Sequence, residues 1–521
     1  MPKVFNVTGN CIPKRHYMVN LESRLQAIRK MVDAGQYITV NRGRQYGKTT
    51  TLQALAKYLS DEYYALNMDF QSAMSSAGFE NEYTFSSAFA EAFVFLFDSL
   101  GANDELQKEL DALEVAASGK IKLMQLFRHL AKICRSADKP IVLLIDEVDS
   151  ASNNQVFLDF LAQLRGAYIN SVQIPTFQSV ILAGVHDIRN LQLKIRPDAE
   201  HKHNSPWNIA AEFSIDMSFS PDDIAGMLSE YEADYHTGMD IAAISQQIYD
   251  YTSGYPVLVS LICKLNDEQP AETAWTNEGI AEAVKRVTSE PAPLFESLIN
   301  KTETVPALRD MLYAMLFQGE EYSFTIDNPV IDIAHMYGFV KNSSGKMQIA
   351  NRIFETRLYN YFLSVERTSN PIVQDGSLHR SEFIENGTLN MERILERFAV
   401  VYTELYGDQP DAFLEDAGRR LFLLFLRPII NGTANYYIEA QTRNQRRTDL
   451  VIDWHGQQYV IEMKIWRGTE YNERGERQLA DYLDYYHIDK GYLLSFNFNK
   501  NKQTGSQTVQ IGDKTIFEVI V

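Results

Sequence analysis

Tyr37-Ile-Thr-Val-Asn-Arg-Gly-Arg-Gln-Tyr-Gly-Lys-Thr-Thr-Thr51 decides the fold. A short β-branched run leads into a glycine-containing turn, and an apolar-periodic helix follows over Leu52 to Leu59. Strand, glycine turn and helix N-terminus together make a phosphate cradle. Backbone N–H groups of Gly43, Arg44, Gln45, Tyr46, Gly47, Lys48, Thr49 and Thr50 can face an anion. Lys48 can reach the β- and γ-phosphates of ATP, and the Thr49 hydroxyl can ligate Mg²⁺. The pattern departs from G-x-x-x-x-G-K-[ST] at one place: Arg42 stands where the first glycine belongs, and Gly43 comes one residue late.

Working outward, the chemistry needs an acidic partner on a neighbouring strand. Lys139-Pro-Ile-Val-Leu-Leu-Ile-Asp-Glu-Val-Asp149 supplies it. An unbroken apolar run ending in two acids is what a parallel strand buried on both faces requires. Ligands bind beyond the carboxyl ends of such strands. Asp146 is therefore the candidate Mg²⁺ holder, through water, and Glu147 the candidate that polarises the attacking water. Gln178 to Arg189 reads as a third strand of the same kind. His186 at its end is a candidate γ-phosphate contact, with a plain turn histidine as the alternative. Upstream, Leu21, Leu25, Ile28, Met31 and Val32 repeat at helical spacing behind Asn20, and Gly35 stops that helix. His16 and Tyr17 are candidate base contacts, with ordinary packing as the alternative.

These elements, with Ile181-Leu-Ala-Gly-Val-His-Asp-Ile-Arg-Asn-Leu191 and Ser253-Gly-Tyr-Pro256, resemble a bacterial AAA-ATPase-like family related to the AAA+ and STAND groups. That family's loop also carries arginines where the first glycine would sit. The resemblance spans roughly residues 1–265 and implies an α/β sheet with a helical lid that binds ATP and Mg²⁺.

The length of 521 residues leaves room for about three domains. Residues 1–200 are expected to form the ATPase core and 201–300 the helical lid. Residues 301–363 suggest two helices and a hairpin around Ser343-Ser-Gly-Lys346, which resembles a winged helix. Residues 364–390 look like a linker.

Residues 391–521 carry a second constellation. A helix over Phe413 to Leu426 contains Glu415. Strands follow over Tyr436–Gln441, Asp449–Trp454 and Gln458–Trp466, then a helix over Glu476–Tyr486 and a strand over Lys490–Phe496. Glu462 and Lys464 are two apart on one strand and so share a face, while Asp449 on the neighbouring strand can meet Glu462. Two carboxylates and the Met463 carbonyl form an all-oxygen set suited to Mg²⁺. This order resembles the PD-(D/E)XK nuclease superfamily. The resemblance implies Asp449, Glu462 and Lys464 as catalytic residues, Glu415 as the acid on the first helix, and Gln478 as the polar residue of the following helix. Thr448 stands where proline is the archetype.

The fold class is thus α/β and multidomain: a P-loop NTPase parallel sheet with a helical lid, a winged-helix-like middle and a C-terminal restriction-endonuclease-like domain. The functional expectation is an ATPase coupled to a metal-dependent nuclease acting on DNA or RNA. The alternative is a nucleotide-dependent assembly ATPase whose C-terminal domain only binds nucleic acid or protein, with a homo-oligomer as the product. Net charge of −19 argues against a uniformly basic nucleic-acid surface but not against a local basic groove. Cys11, Cys134 and Cys263 are far apart and form no metal-binding pair. No apolar run reaches membrane-spanning length, so a cytoplasmic protein is expected.

Overall fold

The computed structural model describes residues 2–74, 76–151, 154–185, 207–211, 213–317, 320–365, 371–385, 387–406, 415–430, 434–441, 447–454, 457–465, 469–486, 488–497 and 504–521. Its contacts divide the chain into two compact units. One holds residues 1–234, 255–257 and 335–338. The other holds 235–254, 258–334 and 339–521.

The first unit is built on a four-stranded sheet of order β1-β4-β3-β2. Its strands are β1 (Ile38–Asn41), β2 (Tyr64–Asp69), β3 (Ile141–Asp146) and β4 (Ser179–Gly184), and all pairs are parallel. Every residue of β3 and β4 is buried, which explains why these strands read as continuous apolar runs rather than alternating ones. The register places Asn41 beside Gly184 and Asp69 beside Asp146. The loops leaving all four strands therefore open at one sheet edge.

Helices cover both faces: α1 (Glu22–Asp33), α2 (Lys48–Leu59), α3 (Glu82–Asp98), α4 (Asp104–Ala117), α5 (Leu123–Ser136), α6 (Gln155–Ile169) and α7 (Pro221–Tyr235). Asn81 caps α3 by accepting from the N–H groups of Tyr83 and Thr84 at 2.9 and 3.1 Å. Along α3, Phe85, Phe89, Phe93 and Phe97 recur every fourth residue and all are buried. The Phe160 ring on α6 sits 5.2 Å from Phe85, 5.1 Å from Phe89 and 5.6 Å from Phe127. Burying each such ring stabilises the fold by about 1.5–3 kcal/mol.

The second unit begins with helices α8 (Ile241–Thr252), α9 (Pro256–Asp267), α10 (Asn277–Ser289), α11 (Pro293–Thr304), α12 (Pro306–Phe317) and α13 (Pro329–Met336). The hairpin β5 (Val340–Ser343) and β6 (Lys346–Ile349) turns at Ser344 and Gly345, both at positive φ. Helix α14 (Arg352–Val365) follows. The stretch expected as a linker carries helix α15 (Pro371–Leu378) and a short antiparallel ladder over Ile384–Leu389. Gly376 of α15 lies so close to the Phe425 carbonyl that a Cβ would come within 2.2 Å of it. The linker composition thus hides a packed helix, because a small residue at the crossing reads locally as a breaker.

The remaining elements are α16 (Met391–Tyr406), α17 (Glu415–Ile430), β7 (Ala434–Gln441), β8 (Arg447–Trp454), β9 (Gln457–Ile465), α18 (Thr469–Tyr486), β10 (Lys490–Phe496), β11 (Gly505–Ile511) and β12 (Lys514–Ile520). They form a six-stranded sheet of order β11-β12-β10-β9-β8-β7. Strands β7, β8 and β9 pair antiparallel, β10 joins β9 in parallel, and β12 joins β10 in parallel. Gly418 of α17 rests on the Phe496 ring, where a Cβ would stand 2.5 Å from the nearest ring carbon.

Candidate functional site

The phosphate-binding loop runs from Arg42 to Gly47 between β1 and α2. Gly47 caps the helix at φ 75°, a conformation that favours glycine. A Cβ built there would meet nothing within 4 Å, so the cradle over the helix N-terminus is open. Lys48 is buried and donates from Nζ to the carbonyls of Arg42 and Gly43, both at 2.9 Å. These two bonds hold the ammonium at the mouth of the loop. Burial holds its pKa below the usual lysine range, opposed by the nearby charges of Glu147, Asp149 and Asp146.

Arg42, at the position of the first motif glycine, is anchored by the fold. Its guanidinium donates to the carbonyls of Asn41, Phe213 and Ile215 at 2.9, 3.3 and 3.2 Å, and lies 5.5 Å from the Phe213 ring centroid. The late glycine has its own reason. A Cβ on Gly43 would stand 2.6 Å from the Tyr337 carbonyl oxygen. Arg44 and Gln45 are exposed, with Gln45 at φ 59°. Thr50 Oγ1 accepts from the Cys11 N–H at 3.2 Å, tying the N-terminal segment to the start of α2.

Facing the loop is the acidic turn after β3. Asp146 is buried and accepts the Glu147 N–H at 2.9 Å. Glu147 sits at φ 53°, a strained position for a non-glycine residue, and its carbonyl is held by the Ser150 N–H and hydroxyl at 3.1 and 2.8 Å. Burial, then the negative charge of Asp146, raises the Glu147 pKa; Lys48 opposes, and Asp149 and Asp69 add to the rise. Glu147 is thus a half-buried acid set near a lysine and three other carboxylates.

Sequence reading passed over Asp149. Its carboxylate accepts the Val185 N–H at 2.6 Å and abuts Gly184, so the acidic turn grips the end of β4. The available signal was the third acid in Asp146-Glu-Val-Asp149. His186 lies outside the described residues. Tyr17 is buried with its ring centroid 5.0 Å from that of Phe5 and 5.3 Å from that of Tyr231, and donates to Asp234 at 2.8 Å. His16 Nδ1 accepts the Ile12 N–H at 2.8 Å. Packing accounts for Tyr17, and the His16 ring nitrogen is engaged with its own loop.

In the second unit, Glu462 and Lys464 project from one face of β9 and pair at 2.8 Å. Glu462 is 1% exposed, and Met463 between them is buried. The β8–β9 register runs from Leu450 opposite Ile461 to Trp454 opposite Gln457. Gln478 on α18 donates to the Tyr482 hydroxyl at 2.6 Å. Gly475, on the same helix, would place a Cβ 3.6 Å from Lys464 Cγ. The backbones of Glu415 and Asp449 lie on α17 and β8, but their side chains are outside the description. Among the described residues, no group of three or more His, Cys, Asp or Glu is placed to hold a metal ion, and none of their helices is long and apolar enough to cross a membrane.

Residues 12–313, more than half of the chain, match the family model described as "AAA-like domain". No curated protein matches the chain. Among solved structures, the chain is similar to the Walker-type ATPase PABY2304 of Pyrococcus abyssi at 12% identity and TM-score 0.45, covering 68% of this chain and 99% of that one. It is also similar to the Aeropyrum pernix ORC2 protein, solved as ADPNP-ADP complexes, at 12% identity and TM-score 0.38, with 70% and 98% covered. The Aeropyrum pernix ORC1 protein, solved in complex with DNA, matches at 12% identity and TM-score 0.29, with 67% and 95% covered.

Proposed function

The chain belongs to the AAA-like domain family, and we propose that it binds and hydrolyses ATP and couples this to a metal-dependent phosphodiesterase in residues 391–521. The observation that carries the first half is Lys48, held at the loop mouth by two carbonyls and faced by Asp146 and Glu147. Lys48 and the loop N–H groups would bind the phosphates. Thr49 and Asp146 would hold Mg²⁺, which when bound neutralises phosphate charge; the oxygen donors and the buried carboxylate fit that ion. Glu147 would orient and deprotonate the attacking water.

For the second half, the order helix, three antiparallel strands, helix, parallel strand supports a PD-(D/E)XK reading. So does the shared face of Glu462 and Lys464 on β9, which pair at 2.8 Å. Asp449, Glu462 and the Met463 carbonyl would hold a divalent cation, with Glu415 near the set. The cation would activate water and neutralise phosphate. Lys464 would then stabilise the charge developing on the phosphate, and Gln478 would orient the substrate. DNA or RNA is the proposed substrate and a homo-oligomer the proposed assembly.

The test is a cleavage panel on single- and double-stranded DNA and RNA, with Mg²⁺ or Mn²⁺ and with or without ATP. Asp449→Ala, Glu462→Ala and Lys464→Ala should each abolish metal-dependent cutting while ATP turnover survives. Unchanged cutting in all three variants removes the nuclease assignment. ATP-dependent assembly with no cleavage of any substrate would instead favour an assembly ATPase.

A further inference from the structure

We infer that Tyr255 is a positioning residue of the phosphate-binding loop, fixing the direction of the Gln45 N–H by holding the Arg44 carbonyl. This rests on the ATP-binding reading of that loop. The Tyr255 hydroxyl donates to the Arg44 carbonyl at 2.8 Å. In a trans peptide the C=O of Arg44 and the N–H of Gln45 point in opposite directions. Holding the one against Tyr255 therefore fixes the other on the opposite side of the peptide, and fixed N–H directions are what an anion-binding nest requires. Gln45 sits at φ 59°, a backbone state that persists only where its surroundings enforce it.

The hydroxyl is delivered by packing. Tyr255 is 1% exposed, and its ring meets the edge of Tyr46 with centroids 4.5 Å apart. Gly338, at φ 75°, leaves room for the Tyr255 ring, since a Cβ there would come within 3.4 Å of it. Gly43 likewise leaves its Cβ position 3.2 Å from the Tyr255 hydroxyl. Burial pushes the Tyr255 phenol well above its ordinary pKa, so it stays a neutral donor across working pH. Tyr46 has a different bond, 3.0 Å to the Ser218 hydroxyl, which touches no loop carbonyl and provides the control.

The experiment is calorimetric titration of the full chain with ATP and Mg²⁺, with thermal midpoints measured in parallel. It compares wild type, Tyr255→Phe, Ser218→Ala and Lys48→Ala. Loss of one neutral hydrogen bond to the loop is expected to raise the ATP Kd of Tyr255→Phe about fivefold. KM for hydrolysis should rise in proportion while kcat holds, and Ser218→Ala should bind like wild type. A Tyr255→Phe Kd within about twofold of wild type overturns the assignment. So does an equal loss of affinity in Ser218→Ala, or a Tyr255→Phe chain that does not fold, since each places the hydroxyl in general stability. If wild type binds no better than Lys48→Ala, the ATP-binding reading itself falls and takes this role with it. A null result in Tyr255→Phe alone leaves that reading standing.

Discussion

Replacing Gly43 by alanine is the most direct probe of how this loop is held. The added Cβ would stand 2.6 Å from the Tyr337 carbonyl oxygen, 3.0 Å from its carbon and 3.2 Å from the Tyr255 hydroxyl. The first distance is shorter than real Cβ contacts, and its partner is backbone, which cannot rotate away as a flexible side chain would. Gly43 is not among the glycines at positive φ, so alanine brings no backbone penalty of its own and the close approach is tested in isolation. Overpacking of this kind costs about 1–3 kcal/mol. Where the loop yields rather than Tyr337, the Arg42 and Gly43 carbonyls leave Lys48, and ATP affinity should fall about five- to hundredfold. Thermal unfolding and calorimetric titration with ATP and Mg²⁺ read the two effects separately. A Gly43→Ala chain with wild-type midpoint and wild-type affinity would refute the claim that Tyr337 closes on the loop.

Two further outcomes follow from the same geometry. Glu147 has a raised pKa in the folded chain, so the stabilisation its protonated form provides is present at low pH and lost as pH climbs through that raised value. Glu147→Gln should therefore unfold at a higher temperature than wild type near neutrality, with the gap closing toward the ordinary carboxylate range and hydrolysis abolished throughout; a gap that does not change with pH would contradict this. Phe160→Ala should lower stability by about 3–5 kcal/mol, because the ring lies among Phe70, Phe85, Phe89 and Phe127 and is fully buried. Urea unfolding followed by far-ultraviolet dichroism measures it, and a loss well under 1 kcal/mol would show that this aromatic cluster repacks.

What could be read from the sequence was whatever has a local signature. Parallel strands buried on both faces write themselves as runs such as Ile141-Val-Leu-Leu-Ile145, and the loop before Lys48 carries its glycine and lysine in plain view. The hairpin over 340–349 announced its turn through Ser344-Gly345. Other features have no such mark. Strand β11, Gly505-Ser-Gln-Thr-Val-Gln-Ile511, is a mostly exposed edge paired with β12, and its polar residues carry no apolar alternation to mark it. Helix α15 passed for a linker because Gly376 is there for a helix crossing rather than a break. Arg42 looked like a defect in the motif because its three carbonyl partners lie either next to it or far along the chain, at Phe213 and Ile215. Tyr337 carried no mark, and Tyr255 stood out only within Ser253-Gly-Tyr-Pro256 with no sign of its partner: contact with the loop is a property of the folded chain, and periodicity reports only on neighbours.

The approach of Tyr337 to Gly43 also bears on the order in which the molecule is made. The loop is synthesised early, yet part of its outer support arrives only after the chain has gone on to residues 335–338. Closing so long a span raises contact order, which slows the final step of folding. At roughly 5–20 residues per second on a ribosome, the loop waits for several seconds between the emergence of Tyr255 and that of Tyr337. During that interval Tyr46 lacks its contact with Gly338, whose Cβ position lies 3.5 Å from the Tyr46 ring. A chain shortened to the family-matched stretch, residues 12–313, would lack Tyr337 and Gly338 and with them this support.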